Sequence, residues 1–185
     1  MLKTLARRRY QPRNHLRCIT LGPCRPHGYQ LLAMVKEIHS ASRVIVATPR
    51  AIFRAHLDPE VLVKWRAPAG TEVRIADFLA KTGGGYRMEL RYPDDDSAAK
   101  STTDRDIVRV RFVELVPDEL IVEAAEFKSV DPDYAGVITI TTQLSLVTGG
   151  TKVSVTASVV PRGICEKDHR EGIESSLKNL ALLVE

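Results

Sequence analysis

The sequence predicts an α+β domain in which an antiparallel sheet of about seven strands curls around a long C-terminal helix. Three observations support this fold class. Strand-like apolar runs separated by short turns fill the middle of the chain, two proline-led helix starts follow the first run, and an amphipathic segment ends the chain. A length of 185 residues suits one domain with a modest appendage.

The first predicted elements are a strand and two short helices. Residues 43–48 form a β-branched run that ends at Thr48-Pro49, where Thr can cap a helix and Pro suits its first turn. Asp58-Pro59-Glu60 repeats this start signal. The second short helix is expected to run through Trp65 and to end at residues 67–70, which contain Pro and Gly.

Turn residues then separate about six strand-like segments. The tight connections are the glycines at 83–85, Pro117-Asp118 and Thr148-Gly149-Gly150. Short turns between neighbours predict an antiparallel meander with the first strand at one edge. The segments lie at residues 71–80, 86–92, 107–116, 120–128, 137–147 and 151–160.

The last segment predicts a helix from His169 to Glu185, capped by Asp168 with Glu171 completing a capping box. Its apolar stripe consists of Ile173, Leu177, Leu180 and Val184. Gly172 and Ser176 form a narrow strip beside that stripe. Close packing would explain Gly172, and so would a glycine merely tolerated near the helix start.

Charge divides the chain into a basic leader, residues 1–38, and a domain, residues 39–185. Residues 1–35 hold seven of the 27 basic residues and none of the 23 acidic residues, which leaves 20 basic against 23 acidic residues in the remainder. Three interpretations of the leader compete: a transit peptide, a secretory signal, and translated upstream sequence with Met34 as the natural start. We favour Met34, because composition changes sharply there, and a secretory signal would need an apolar core that is missing.

These features exclude several function classes. The acidic domain argues against a nucleic-acid partner, even though Arg87, Arg91, Arg109 and Arg111 could form a basic strip. Apolar runs of about five residues are too short for a membrane span, so we expect a soluble, cytoplasmic protein. No cofactor or metal is expected. The four zinc-type residues of the leader have a spacing that matches no common zinc motif: His15, Cys18, Cys24 and His27.

Two residues have alternative interpretations that the sequence leaves open. Trp65 could form the wall of a pocket or plug the contact between the short helices and the sheet. Glu114 continues the inward phase of Val108, Val110 and Phe112, so it predicts a buried polar anchor unless a bulge turns it to solvent.

No catalytic constellation is evident. His169 follows Cys165 and Glu166, but the segment offers no orienting third group and no oxyanion hole. We therefore predict no catalytic residues, and we favour a non-enzymatic role while leaving an enzyme open.

The order of these elements resembles the START-like, helix-grip (SRPBCC) superfamily over about residues 41–185. Within it, the chain is similar to the AHSA-like branch, which is homologous to the C-terminal domain of the activator of the ninety-kilodalton heat-shock chaperone's ATPase. The residues that carry the resemblance are 43–48, Asp58-Pro59-Glu60 before Trp65, the strand end at 114–117, Gly149-Gly150-Thr151 and the helix at 172–180.

The resemblance implies a hydrophobic cavity between sheet and helix, which in many relatives holds a lipid, hormone or polyketide. The first hypothesis is accordingly a domain that binds a small hydrophobic or amphipathic ligand. The second is a protein-interaction module of the chaperone-activator type, with a heat-shock chaperone as partner and a role in stress response, and the third is a cyclase- or hydrolase-like enzyme. The residues expected to line the cavity are Trp65, Phe78, Tyr86, Met88, Val110, Phe112, Glu114, Ile173, Ser176, Leu177 and Leu180.

Overall fold

A computed structural model describes residues 37–66, 71–91, 105–129 and 131–185. The predictions on the leader up to residue 36, including the Met34 start and the four zinc-type residues, lie outside the described residues. So do the predicted helix terminator at residues 67–70 and residues 92–104, which include the end of the strand predicted at 86–92. The division at residue 38 therefore stays a prediction.

The expected α+β architecture is confirmed. In the described residues, seven antiparallel strands form one sheet in the order β1-β7-β6-β5-β4-β3-β2. The two short helices follow β1, and the long helix follows β7. The strands are β1 (Ile38–Ile45), β2 (Glu72–Leu79), β3 (Gly85–Arg91), β4 (Arg105–Val116), β5 (Leu120–Phe127), β6 (Val137–Val147) and β7 (Gly150–Ser158), and the helices are α1 (Pro49–Leu57), α2 (Pro59–Trp65) and α3 (Glu166–Val184).

Local side-chain chemistry starts the two short helices as expected. The Thr48 hydroxyl accepts a hydrogen bond from the backbone N–H of Ala51, and the Asp58 carboxylate accepts from those of Glu60 and Val61. Each cap satisfies N–H groups that have no partner inside the helix. The proline after each cap occupies the first helical position.

The first strand and the last helix both begin earlier in the chain than predicted. Strand β1 begins at Ile38 and pairs along its whole length with β7. Its first half is rich in polar residues that do not favour a strand by themselves, so the pairing with β7 explains why this segment is extended. Helix α3 begins at Glu166, and its N-cap is Cys165, which makes no side-chain cap. Asp168 instead lies in the first turn with Glu166, where negative charge favours the positive end of the helix dipole.

A bulge in β4 reverses the side-chain phase of its second half. Phe112 is opposite Glu123 on β5, but Glu114 is opposite Val122, so two residues of β4 face one of β5 between them. Glu114 is exposed as a result. Of the two interpretations left open by the sequence, the bulge that turns Glu114 to solvent is confirmed, and Glu114 is not a buried anchor, because one inserted residue moves the following side chains to the other face of the sheet.

The core lies between the concave face of the sheet and the helices. Leu177, Leu180 and Ala181 are the buried residues of α3, which packs against β1, α1 and α2. At one side of the core Phe78, Tyr86 and Phe112 form an aromatic cluster with ring centroids 5.5 to 6.0 Å apart. No helix in the described part of the chain is long and apolar enough to cross a membrane.

Candidate functional site

A cavity of about 250 Å³ lies between the sheet and α3. Its floor is formed by apolar side chains of β3 to β7, and its roof by one face of α3. Six of the residues predicted for the site line it: Trp65, Met88, Val110, Ile173, Ser176 and Leu177.

The other five predicted residues do not line the cavity. Phe78, Tyr86 and Phe112 pack against one another in the aromatic cluster. Leu180 is fully buried in the core, and Glu114 lies on the exposed side of the β4 bulge. An inward side-chain phase therefore places a residue in the interior, but tertiary packing decides whether it meets a neighbour or open space.

Two carboxylates are buried in the described part of the domain, Asp106 on β4 and Glu123 on β5, each 1% exposed. Glu123 is the one whose contacts define a polar group beside the cavity. One of its oxygens accepts a hydrogen bond from Arg66 Nη2 at 2.6 Å, and the other accepts from the Tyr86 hydroxyl at 3.0 Å. Sequence reasoning missed Glu123, although it shares the inward phase of the buried residues Ile121 and Ala125. The alternation of inward and outward positions along β5 could have identified Glu123 as an inward residue from the sequence.

The contacts with Glu123 influence the protonation of both Arg66 and Tyr86. Burial alone would lower the pKa of Arg66, but the Glu123 carboxylate outweighs burial and raises it, so the guanidinium stays charged. Burial raises the pKa of Tyr86 far above its ordinary value, and the Glu123 carboxylate adds to that shift. Tyr86 is therefore a neutral phenol that donates a hydrogen bond to Glu123.

Arg66 connects this ion pair to the cavity. It is the C-cap of α2, directly after Trp65, and it lines the cavity with a side chain that is 14% exposed. Its guanidinium carbon lies 5.7 Å from the centroid of the Trp65 ring. The Ser176 hydroxyl of α3 lies 3.3 Å from the Arg66 carbonyl oxygen, so the helix that roofs the cavity also contacts the backbone at this point.

Trp65 fulfils both interpretations left open by the sequence. Its indole Nε1 donates a hydrogen bond to the Ala55 carbonyl at 3.0 Å, which fixes α2 against α1. The same ring lines the cavity and is 4% exposed. A rigid aromatic side chain held in this way gives the cavity a fixed wall.

His56 supplies a neutral hydrogen-bond acceptor. Its Nδ1 lies 2.9 Å from the Ile52 carbonyl, which can only accept, so Nδ1 carries the proton. Its ring packs against Trp65 with centroids 4.6 Å apart. Burial lowers the pKa of His56 to about 4, so the ring is neutral near pH 7 and its Nε2 is an acceptor.

Gly172 and His169 lie on the α3 side of the cavity. Gly172 is exposed yet lines the cavity, which places it at the opening, and a Cβ there would meet no atom within 4 Å. Close packing therefore does not require this glycine. His169 Nδ1 lies 2.9 Å from Nδ1 of the buried His39, which connects the first turn of α3 to β1.

The described residues contain no group of three or more His, Cys, Asp or Glu side chains arranged to hold a metal ion. Cys165 is exposed at the start of α3. Polar residues also line the cavity, and polar groups in such a position can orient a bound molecule by hydrogen bonds: His56, Arg66, Asp106, Thr142, His169 and Ser176.

An antiparallel sheet curled over a long C-terminal helix, with two short helices after the first strand, defines a START-like, helix-grip domain. The sequence profile of the family described as Activator of Hsp90 ATPase homolog 1-like protein matches residues 46–185, and the chain belongs to this family. No match was found among curated protein sequences.

Solved structures agree with this assignment. A protein from Chromobacterium violaceum is 30% identical, with a TM-score of 0.71 over 80% of this chain and 96% of that one. A protein from Arthrobacter aurescens is 15% identical with a TM-score of 0.67, covering 80% of this chain and 85% of that one. A protein from Staphylococcus epidermidis is 20% identical with a TM-score of 0.63, covering 80% and 88%. The last two show likeness of fold alone.

Proposed function

We propose that this domain binds a small, largely apolar or amphipathic molecule in the cavity between the sheet and α3. The observation that carries the proposal is the cavity itself, at about 250 Å³ with mostly apolar walls and a few polar groups. Binding pockets for small molecules combine these two properties. Protein interiors are otherwise close-packed, with few voids larger than a water molecule, so a space of this size suits an occupant.

The position of Gly172 gives a direct test. A leucine at this position would project into open space at the cavity opening without meeting other atoms at its Cβ. We expect Gly172→Leu to weaken binding of naphthalene at least tenfold while the protein stays folded. Lys178→Leu is the matched control, because Lys178 is exposed on the same helix and does not line the cavity.

Binding is measured by the NMR signal of the Trp65 indole N–H. Trp65 is the only tryptophan of the chain and lines the cavity, so one signal reports directly on this space. Unchanged naphthalene affinity in Gly172→Leu would contradict binding in the cavity. Native mass spectrometry of gently purified protein would identify a natural occupant as a reproducible mass increment.

A protein-interaction role is the second candidate, suggested by the description of the family. At the end of α3, Leu182 is 75% exposed and Leu183 is 41% exposed. Leu183 also lines a surface groove with Ala51, Leu57 and Val61 of the two short helices. If this surface serves a chaperone of the ninety-kilodalton heat-shock class, the protein should raise the ATPase rate of that chaperone and Leu183→Glu should abolish the increase. An unchanged ATPase rate would remove this candidate.

A further inference from the structure

We propose that Arg66 makes the cavity selective for neutral apolar molecules that carry a carbonyl-type acceptor oxygen, over both hydrocarbons and carboxylates of similar shape. This inference rests on the proposed ligand-binding function and names the class of ligand. It depends on three properties of Arg66. Its guanidinium has hydrogen-bond donors that are not used within the described part of the protein, its positive charge is balanced by Glu123, and the cavity wall around it is mostly apolar.

The first property is donor capacity. An arginine side chain carries five N–H donors, and in the described residues Arg66 uses only Nη2, in its bond to Glu123. None of the described cavity-lining side chains has a nitrogen or oxygen that is both fully buried and without a hydrogen-bond partner. Nε and Nη1 of Arg66 are therefore not fully buried, and the residue itself lines the cavity, so these two atoms are the donors that we assign to a ligand oxygen.

The second property is charge. The Glu123 carboxylate lies 2.6 Å from Arg66 and is held in place at its other oxygen by Tyr86, so the positive charge of Arg66 has a fixed counterion. A ligand carboxylate would place another negative charge beside Glu123, where like charges repel strongly at low dielectric. A neutral carbonyl oxygen accepts the same hydrogen bonds without that cost.

The third property is the apolar wall around Arg66. A ligand that fills the cavity displaces water from the guanidinium, and a hydrocarbon would offer no acceptor in exchange. Sites that hold buried polar groups discriminate strongly against molecules that leave those groups unpaired. The same cavity should consequently bind a ketone in preference to the parent hydrocarbon.

Three probes of similar shape separate these effects: naphthalene, 2-acetylnaphthalene and 2-naphthoate. Each is titrated into the full chain, and its dissociation constant is read from the Trp65 indole signal. We expect 2-acetylnaphthalene to bind at least tenfold more tightly than naphthalene and than 2-naphthoate. Comparable affinity for the ketone and naphthalene in the wild-type protein would overturn the inference, and this comparison does not depend on how any variant folds.

Two variants test whether Arg66 is the cause. The double variant Arg66→Met/Glu123→Gln removes both charges together, so no unpaired charge stays buried. We expect it to lose the preference, so that the dissociation constants for the ketone and for naphthalene become comparable. Glu123→Gln alone leaves the Arg66 charge without its counterion, so we expect 2-naphthoate to become the tightest ligand of the three. Arg109→Met, on the exposed side of β4, is the control that should keep the wild-type order.

The outcomes separate this inference from the function on which it rests. Failure of all three probes to bind would contradict ligand binding in the cavity as such. Binding of naphthalene with no preference for the ketone would leave the cavity a ligand site but overturn the role of Arg66. An unchanged order in the folded Glu123→Gln variant would equally overturn it, because the counterion would then have no effect on the ligand's charge.

Discussion

Arg66 and Glu123 are 57 residues apart in the chain and form an ion pair of 2.6 Å between the end of α2 and the middle of β5. Tyr86 of β3 donates a hydrogen bond to the second oxygen of the same carboxylate. Three elements thus converge on one carboxylate that is 2% exposed at its side chain. This arrangement makes both the stability of the fold and the polarity of the cavity sensitive to single substitutions.

Glu123→Ala should lower the free energy of unfolding by about 3 kcal/mol, because it leaves Arg66 and Tyr86 without their shared acceptor in a largely buried position. Urea unfolding monitored by circular dichroism measures the effect. Glu126→Ala is the matched control, since Glu126 lies on the same strand and is exposed. Equal effects of the two substitutions would refute a stabilising role for the buried pair.

Tyr86→Phe should lower the free energy of unfolding by about 2 kcal/mol, because a hydrogen bond to a charged acceptor is lost without a change in packing. Naphthalene affinity should stay within twofold of wild type, since Tyr86 does not line the cavity. Thermal unfolding and the Trp65 signal give the two readouts. Tyr134→Phe, at a partly exposed position, serves as control, and a large loss of naphthalene affinity in Tyr86→Phe would contradict the observed packing.

Stability should decline between pH 6.5 and pH 4 through His56. Burial lowers the pKa of His56 to about 4 in the folded protein, against 6.5 ordinarily, so in this interval the unfolded chain binds the proton and the folded chain does not. The contribution of this residue is fully present above pH 6.5 and is lost as the pH falls towards 4, amounting to about 3 kcal/mol.

The pH dependence is checked by urea unfolding at several pH values, with His56→Gln as the comparison. This variant lacks the titrating ring, so the difference in unfolding free energy between the two proteins should change with pH over this interval. A constant difference from pH 7 to pH 4 would show that His56 is not buried in its neutral form.

Gly172→Ala should raise the free energy of unfolding by up to about 1 kcal/mol, because alanine favours helix and its Cβ meets no atom within 4 Å. Gly150→Ala is expected to have the opposite effect. Its φ is 142°, and a Cβ there would collide with the Ile45 carbonyl oxygen on the neighbouring strand β1. Thermal unfolding compares the two variants, and destabilisation by Gly172→Ala would show that the space beside α3 is filled.

Local patterns in the sequence predicted most of the fold and about half of the site. Thr48 and Asp58 cap helices by contacts within three residues, and the turn at residues 148–150 joins two strands that pair directly. Ile173 and Leu177 reached the cavity as expected, because a helix keeps residues four apart on one face. Each of these features depends on neighbours in the chain, and a sequence shows such neighbours directly.

The sequence by itself determined the order of the elements, the inward phase of most strands and the amphipathic face of α3. Only the tertiary structure decided that Glu123 and not Glu114 is buried, because one extra residue in β4 reverses the strand's phase and appears only in the register with β5. It likewise decided that Arg66 meets Glu123. That contact follows from strand pairing and from helix packing across the sheet, which bring together residues that no local pattern relates.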